Sequence, residues 1–376
     1  MSLTSGRIAE PWKIVKTVFI PKPGKEDYNT AKSFRPISLM SFILKTLERL
    51  LFWYINDTHM VANPLNKNVY SYREGVSTET ALHRLTYQIE KALANKQFAM
   101  VIFLDISGAF SNTAIHSLVR ALARKGVEEE LIRWIYSLLS ERVAKASIGE
   151  DKISKDIDSG APEGGISSPP LFNNVVSEGA EEVAKLNNPT NCHVFADDVN
   201  LIRIGPNIWE IALHMQYALD ILCDWAKANN LKFNESKTKI MIFTRKYNYD
   251  KPEIKLNGKV IEYVETFKYL GVTFDNRLTW REHLKVQIKK AKASLVIGRR
   301  MMGKHWGLSP RVTHWIYTAI VRPTLTYGAV VWVSCLEKET NRALINRVQR
   351  MACRMITGSM RSTHLWDGNI IKNYAY

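Results

Sequence analysis

The stretch "AMVIFLDI", Ala99 to Ile106, runs apolar without a break for six residues and then ends on Asp105. An apolar run that does not alternate reads as a strand buried on both sides. The segments around it carry helical periodicity instead. After Ser77, a helix N-cap by residue type, Leu82, Leu85, Ile89 and Leu93 recur on one face. Further helices are expected at about Thr113 to Lys125 and Glu129 to Ser140. Another should run from the Gly/Pro/Ser cluster "SGAPEGGISSPP" through Glu182, and a long amphipathic one carries Ile211, Met215, Leu219, Leu222 and Trp225. Ahead of them, "EPWKIVKTVFIPKPGKEDYNTAKSFRPISL" is a β-prone run, a Pro/Gly/Lys turn and a second basic segment. Strands and helices alternate, which predicts a mixed α/β domain. Beyond "FKYLGVTFD" the chain becomes largely helical, so a domain boundary is expected near Asn276. No repeat of fixed period appears, which excludes solenoids.

Lys and Arg outnumber Asp and Glu by 52 to 36 in 376 residues, a net charge of +16 that points to an anionic partner. Basic residues are densest in the last hundred positions, where Trp and Tyr are interleaved with them. Cys192, Cys223, Cys335 and Cys353 form no metal-ligand or C-x-x-C spacing and are read as reduced and intracellular. No apolar run approaches the roughly 18 residues of a membrane span, so no membrane partner is expected.

In "CHVFADDVNLIRI", Asp197 and Asp198 lie side by side between two short apolar runs, on a hairpin tip. Asp is an ordinary turn former, so a lone pair of this kind says little. Asp105, however, ends a strand of the same sheet, and adjacent strands would bring the three carboxylates together. Hard divalent cations such as Mg²⁺ take oxygen ligands of this type together with substrate phosphates. Two ions about 3.5 to 4 Å apart can activate a hydroxyl and stabilise a leaving pyrophosphate. Without a cation the carboxylates repel and raise one another's pKa.

"FADDVNLI" and "FLDISGAF" resemble the two catalytic strands of reverse transcriptases. "IPKPGK", "SFRPISLMSFILKTLERL", "REGVSTETAL", "GAPEGGISSPPLFN", "LKFNESKTKI" and "FKYLGVTFD" follow in the order seen in non-LTR (LINE-type) retrotransposons, especially insect-type elements. The later "LTWREHLKVQIKKAKASL" and "IVRPTLTYGAVVW" resemble the region after their palm. The resemblance implies an α+β right-hand polymerase. Its fingers would span residues 1–98 and the first part of its palm 99–145. A fingers/palm connection would follow at 146–185, the second part of the palm at 186–275, and an α-helical thumb with a C-terminal extension at 276–376.

The same resemblance implies Asp105, Asp197 and Asp198 as the metal-binding catalytic triad, with the backbone carbonyl of Ile106 as a further ligand. The ions would be two Mg²⁺, with Mn²⁺ as a substitute. Phe110 falls where this family places an aromatic steric gate against the 2′-hydroxyl that distinguishes ribonucleotides. Arg35 matches a fingers residue near the template or triphosphate, with Lys22, Lys25 and Lys45 adding to a positive field that would neutralise charge moving onto pyrophosphate. Glu163 and Gly164 fall in the loop close to template and incoming nucleotide. Lys237 matches a lysine that either assists the leaving pyrophosphate or structures its turn. "FKYLG", with Tyr269, Leu270 and Gly271, resembles the primer grip that positions the primer 3′ end. The implied partners are an RNA template, a DNA primer or nicked target DNA, and deoxynucleoside triphosphates. Nicking would need an endonuclease domain that the chain lacks, and the implied location is nucleus and cytoplasm.

In the basic C-terminal part, Leu284, Ile288, Ala291 and Leu295 define one helical face, and Arg281, Lys285, Lys289, Lys292 and Arg299 a neighbouring one. Eight basic residues and one acidic between Arg281 and Lys304 make this face a rail for phosphates read without sequence. Ser309 and Pro310 look like the N-cap and first residue of the next helix. Trp306, Trp315, Tyr317, Tyr327 and Trp332 are expected in the core rather than as base-stacking platforms. A last helix, around Asn341 to Ile356, should end at Gly358; the tail "LWDGNIIKNYAY" carries no reading.

Three positions depart from the family pattern: Ser111 where Asp is common, Glu163 where Gln is usual, and Pro170 where Leu is usual. A carboxylate at Glu163 could repel phosphate, and Pro170 is tolerable only within the first turn of a helix. Two readings therefore stand, an active RNA-directed DNA polymerase and a catalytically impaired relic that still binds nucleic acid. Phe110 and the Ala-Asp-Asp order disfavour an RNA-dependent RNA polymerase.

Overall fold

A computed structural model describes residues 6–186, 190–301, 303 and 306–360. Lys304 and the tail "LWDGNIIKNYAY" lie outside the described residues. The chain divides into two compact units. One comprises residues 1–81, 92–242 and 246–263, and the other 82–91, 243–245 and 264–376. The second therefore starts ahead of the change in composition near Asn276.

The first unit opens with β1 (Ile14–Pro21) and β2 (Phe34–Leu39), joined by the Pro/Gly/Lys turn. They pair antiparallel from Lys16↔Leu39 to Pro21↔Phe34. Helix α1 (Phe42–Ile55) follows; α2 (Thr78–Ala94), whose residues 82–91 belong to the second unit, starts after Ser77, whose Oγ accepts the Thr80 amide at 3.4 Å. Next come β3 (Phe98–Asp105), α3 (Ile115–Arg124), α4 (Glu129–Leu139) and the hairpin β4 (Arg142–Ile148) and β5 (Asp151–Ile157). Helix α5 (Ser168–Ala184), β6 (Asn191–Phe195), β7 (Asp198–Gly205), α6 (Ile208–Ala228), β8 (Lys239–Phe243) and β9 (Glu262–Tyr263) complete it. Asn207 caps α6, accepting the Trp209 amide at 2.9 Å.

Two sheets result. One has the order β2-β1-β4-β5, with β1 and β4 parallel. The other runs β9-β8-β3-β7-β6 and places β3 at its centre. All of β3 from Phe98 to Leu104 is buried, as an unbroken apolar run requires. Met100, Ile102 and Leu104 share one core with Leu171, Phe172 and Val175 of α5 and Met215, Leu219 and Leu222 of α6. Pro170 sits in the first turn of α5, where the amide it lacks has no partner within the helix. Among the described residues no single helix is long and apolar enough to cross a membrane.

The second unit holds a hairpin of β10 (Thr266–Tyr269) and β11 (Val272–Asp275), followed by α7 (Arg281–Arg300), α8 (Pro310–Ile316), shorter helical turns and α9 (Glu339–Thr357). The Ser309 side chain accepts the Val312 amide, so Ser309 and Pro310 are the N-cap and first residue of α8. Gly358, at φ +69°, ends α9. Tyr317 and Trp332 are buried, whereas Trp306, Trp315 and Tyr327 are 68 %, 58 % and 38 % exposed, against the expectation of a core. Trp315 lies on the outer side of α8, where the Arg311 guanidinium sits 5.4 Å from its ring.

His283, 1 % exposed, accepts the Thr273 amide on Nδ1 at 3.2 Å. Burial, aided by the Lys290 charge, lowers its pKa from 6.5 to about 4. The unfolded chain takes up this proton first, so the fold is most stable above pH 6.5 and loses stability as pH falls from 6.5 to 4. About 3 kcal/mol should be lost across that window, read by urea unfolding at several pH values. A His283→Gln chain showing the same acid loss would contradict the assignment.

Candidate active site

Asp105 ends β3 directly opposite Asp198, the first residue of β7. Phe195 pairs with Asp198, so Ala196 and Asp197 form the whole turn between β6 and β7. Ala196 has φ +54°, a conformation costly for a residue with a Cβ. The Ile106 amide donates to the Asp197 carbonyl at 2.9 Å and ties the strand end to the tip. In extended backbone the N–H and C=O of one residue point to the same edge, which turns the Ile106 carbonyl towards the hairpin.

The opposite edge of the strand end is tied as well. Asn234 donates its amide to the Asp105 carbonyl at 2.8 Å, and Ser107 donates to the Lys232 carbonyl at 2.9 Å. The Asn234 side chain then shapes the turn, with Oδ1 accepting from the amides of Ser236 and Lys237 at 3.1 and 3.3 Å. This turn brings the Lys237 ammonium to 2.9 Å from both carboxylate oxygens of Asp105.

Electrostatics follow from this crowding. Burial, then the charges of Asp197 and Asp105, push the Asp198 carboxyl up to about 7. Asp197 exposes its side chain by surface area, yet the dense protein around it, with Asp105, raises its pKa too. Lys237 pulls both back.

Among the described residues no group of three or more His, Cys, Asp or Glu side chains is arranged to hold a metal ion as it stands. The Lys237 ammonium already engages both oxygens of Asp105. The donor set nonetheless suits a hard divalent cation. It offers carboxylate oxygens whose mutual repulsion raises the pKa of Asp198 and Asp197, which is the electrostatic demand a cation meets.

Phe110 sits on the short helical turn Ala109–Asn112, just past Asp105. Its ring centroid lies 5.1 Å from buried Phe172 and 6.4 Å from Tyr72, which meets it edge-on at 73°. The loop after β5 closes over this turn. Ala161 donates to the Phe110 carbonyl at 2.7 Å and Gly160 to the Thr113 carbonyl at 2.9 Å. Ser111 faces solvent, its hydroxyl donating to the Gly108 carbonyl at 3.3 Å.

Farther along this loop, the Ser38 amide of β2 donates to the Glu163 carbonyl at 2.6 Å, and Gly164 takes φ +113°. Burial raises the Glu163 pKa; the charges of Arg35 and Lys22 oppose the rise, and Asp197 adds to it. The carboxylate expected to repel phosphate is therefore set among cations. The Lys22 ammonium donates to the Lys32 carbonyl at 3.0 Å, and Lys25 is exposed. The Lys45 charge acts on Glu48.

Glu48 and Tyr72 were missed in the sequence. Glu48 is fully buried on α1 and accepts the Ser167 amide at 2.8 Å at the start of α5, which anchors the far end of the Glu163 loop. One signal was available, because Glu48 falls on the apolar face that Leu44, Leu51, Phe52 and Ile55 define. Tyr72 gave none.

The remaining candidates belong to the second unit. Tyr269 and Val272 pair, so Leu270 and Gly271 alone form the turn. Both have positive φ, +44° and +83°, the type I′ hairpin turn that favours Gly at its second position. Tyr269 is buried, and the Tyr327 hydroxyl donates to the Leu270 carbonyl at 2.8 Å. On α7, Leu284, Ile288, Ala291 and Leu295 are buried, while Arg281, Lys285, Lys289 and Arg299 are exposed and Lys292 half-buried. Lys285 pairs with Glu282 at 2.6 Å, the one acidic residue of the rail.

The central sheet thus sets a strand-end carboxylate and two hairpin-tip carboxylates in register. The reverse transcriptase (RNA-dependent DNA polymerase) family matches residues 20–274, and the chain belongs to that family. It is 28 % identical over 351 residues to the probable RNA-directed DNA polymerase from transposon BS of Drosophila melanogaster, covering 92 % of this chain and 38 % of that protein. The RNA-directed DNA polymerase from mobile element jockey, from the same fly, is 28 % identical over 372 residues, covering 95 % and 39 %. The resemblance to LINE-type reverse transcriptases is thus borne out, and the chain spans about two fifths of the length of these curated relatives. A Candida tropicalis telomerase structure aligns at a TM-score of 0.47 and 11 % identity, covering 91 % of this chain and 56 % of that one, a level at which the likeness decides nothing. Reverse transcriptases use divalent metal ions and act on nucleic acid.

Proposed function

We propose that this chain is the polymerase portion of a non-LTR retroelement protein, copying an RNA template into DNA from a DNA primer or nicked target. The observation that carries the reading is the Asp105↔Asp198 register with Asp197 at the adjoining tip. Asp105, Asp197, Asp198 and the Ile106 carbonyl would hold two Mg²⁺ ions, with Mn²⁺ as substitute. Bound there, the ions would activate the primer 3′-hydroxyl and neutralise the departing pyrophosphate.

The rest of the chemistry falls to this chain's own side chains. Lys237 neutralises Asp105 in the absence of another cation, and its exposed ammonium can turn to the leaving phosphate. Phe110 stands under the sugar of a deoxynucleoside triphosphate and excludes a 2′-hydroxyl. Arg35 and Lys22 face the triphosphate, and Glu163 tempers their charge. The Leu270–Gly271 turn would steady the primer end, and the α7 rail would track phosphates. In right-hand terms the fingers would fall at 1–98, the palm at 99–145 and 186–275 with a fingers/palm connection at 146–185 between them, and the helical thumb with a C-terminal extension at 276–376. Target nicking would come from another domain, and the work would take place inside the cell, in nucleus and cytoplasm.

Primer extension on a defined RNA template with deoxynucleotides and Mg²⁺ tests the reading. The parent should extend, whereas Asp197→Ala and Asp198→Ala should not; duplex binding without extension by the parent would leave a nucleic-acid-binding relic. Phe110→Val should admit ribonucleotides, and a variant that gains none would remove the gate assignment.

A further inference from the structure

We infer that Tyr72 forms, with Phe110, the wall that selects the sugar of the incoming nucleotide, an assignment that rests on the polymerase reading and names a residue its motifs do not include. Tyr72 has φ +50°, a left-handed conformation that costs a residue with a bulky side chain on the order of 1 to 2 kcal/mol. Its side chain repays that cost only in part by burial, since the residue is 56 % exposed. Backbone and burial alone give little reason for an aromatic here; a glycine would fit the backbone better, and the contact with Phe110 is what the ring adds.

The neighbours of Tyr72 hold it in place from both sides. The Ser71 hydroxyl donates to Asn173 Oδ1 at 2.8 Å, and Asn173 Nδ2 returns a bond to the Ser71 carbonyl at 2.6 Å, all of it buried. The Arg73 guanidinium donates to the carbonyls of Asn66 and Val69 at 3.1 and 2.9 Å. Just upstream, Tyr70 donates its amide to the Val194 carbonyl at 2.9 Å, on the strand that leads into the Ala196–Asp197 turn. A segment fixed to the catalytic hairpin thus forces one exposed ring against the edge of Phe110. Phe172 packs on Phe110 from the core, and Tyr72 meets the Phe110 ring edge-on from the exposed side. Partial burial, and then the charges of Asp197 and Glu163, raise the Tyr72 pKa, consistent with a ring near the catalytic turn and the Glu163 loop.

The test compares the parent with Tyr72→Gly and Tyr72→Phe. Glycine accepts the positive φ, so Tyr72→Gly should melt no lower than the parent while losing the ring. Equilibrium binding of dATP and of ATP is measured on the full chain, bound to an RNA template and a DNA primer ending in a dideoxynucleotide, so that no turnover is required. The parent should prefer dATP, Tyr72→Gly should lose that preference by about tenfold, and Tyr72→Phe should restore it to within about twofold. A structural role would weaken both nucleotides equally and leave their ratio unchanged. An unchanged ratio in Tyr72→Gly, with dATP still bound, overturns the inference and leaves the polymerase reading standing. A parent that binds neither nucleotide removes both.

Discussion

Asp198→Asn should abolish primer extension and at the same time make the cation-free protein more stable at pH 8. The first effect is the loss of a metal ligand, on the order of 10³-fold in rate or more. The second follows from the pKa of Asp198, which rises from 3.8 in the unfolded chain to about 7 in the fold. A carboxyl that holds its proton more tightly when folded gives stability that is fully present below pH 3.8 and is lost as pH rises to 7. Asparagine has no proton to lose, so parent and variant should diverge across that window. Partial exposure and sharing of charge with Asp197 limit the difference to about 2 kcal/mol. Urea unfolding in EDTA at pH 5 and pH 8 reads it, and added Mg²⁺ should stabilise the parent at pH 8 but hardly the variant. A variant no more stable than the parent in EDTA at pH 8 would mean that the carboxylates do not repel one another as the geometry implies.

Gly160→Ala should be the most disruptive single-methyl change near the site. Gly160 has φ +70°, and a methyl carbon there would collide with the backbone carbonyls of Phe110 and Ser111. The loop cannot withdraw cheaply, because the buried Arg142 guanidinium donates to the carbonyls of Ser159 and Gly160, each at 2.6 Å. Burial lowers the Arg142 pKa to about 10, which still leaves it charged at neutral pH and dependent on those acceptors. Backbone strain and overpacking together should cost about 3 kcal/mol, and displacement of Phe110 should weaken discrimination against ribonucleotides. Gly149→Ala is the control. It has a similar φ of +62° with nothing within 4 Å of the added carbon, so it suffers the strain alone. Equal losses from the two would show that the loop yields and that Phe110 is held by other contacts.

Much of the fold was legible because its signals are local. The unbroken run from Ala99 to Leu104 specified a strand buried on both faces, and the spacing of Ile211, Met215, Leu219 and Leu222 a helix packed on the core. Side chains recur every two residues in a strand and every 3.6 in a helix, whatever lies beyond the segment. The order of the motifs likewise identified the family and its three aspartates. Trp306, Trp315 and Tyr327 were expected in the core and are exposed, because an aromatic side chain by itself does not say which face of its segment the packing covers.

The sequence by itself determined the elements, the aspartate triad and the family. Only the tertiary structure decided what each charge faces. Lys237 reads in sequence as a residue for pyrophosphate or for a turn, yet it grips Asp105, which lies 132 positions away. Glu163 reads as a liability, yet it stands among Arg35 and Lys22. Tyr72 reads as nothing, yet its ring meets Phe110 edge-on at 6.4 Å. The physical reason is common to all three. These pairings depend on which strands become neighbours, and the placing of β3 between β7 and β8 is set by the packing of the whole sheet, which no local pattern encodes.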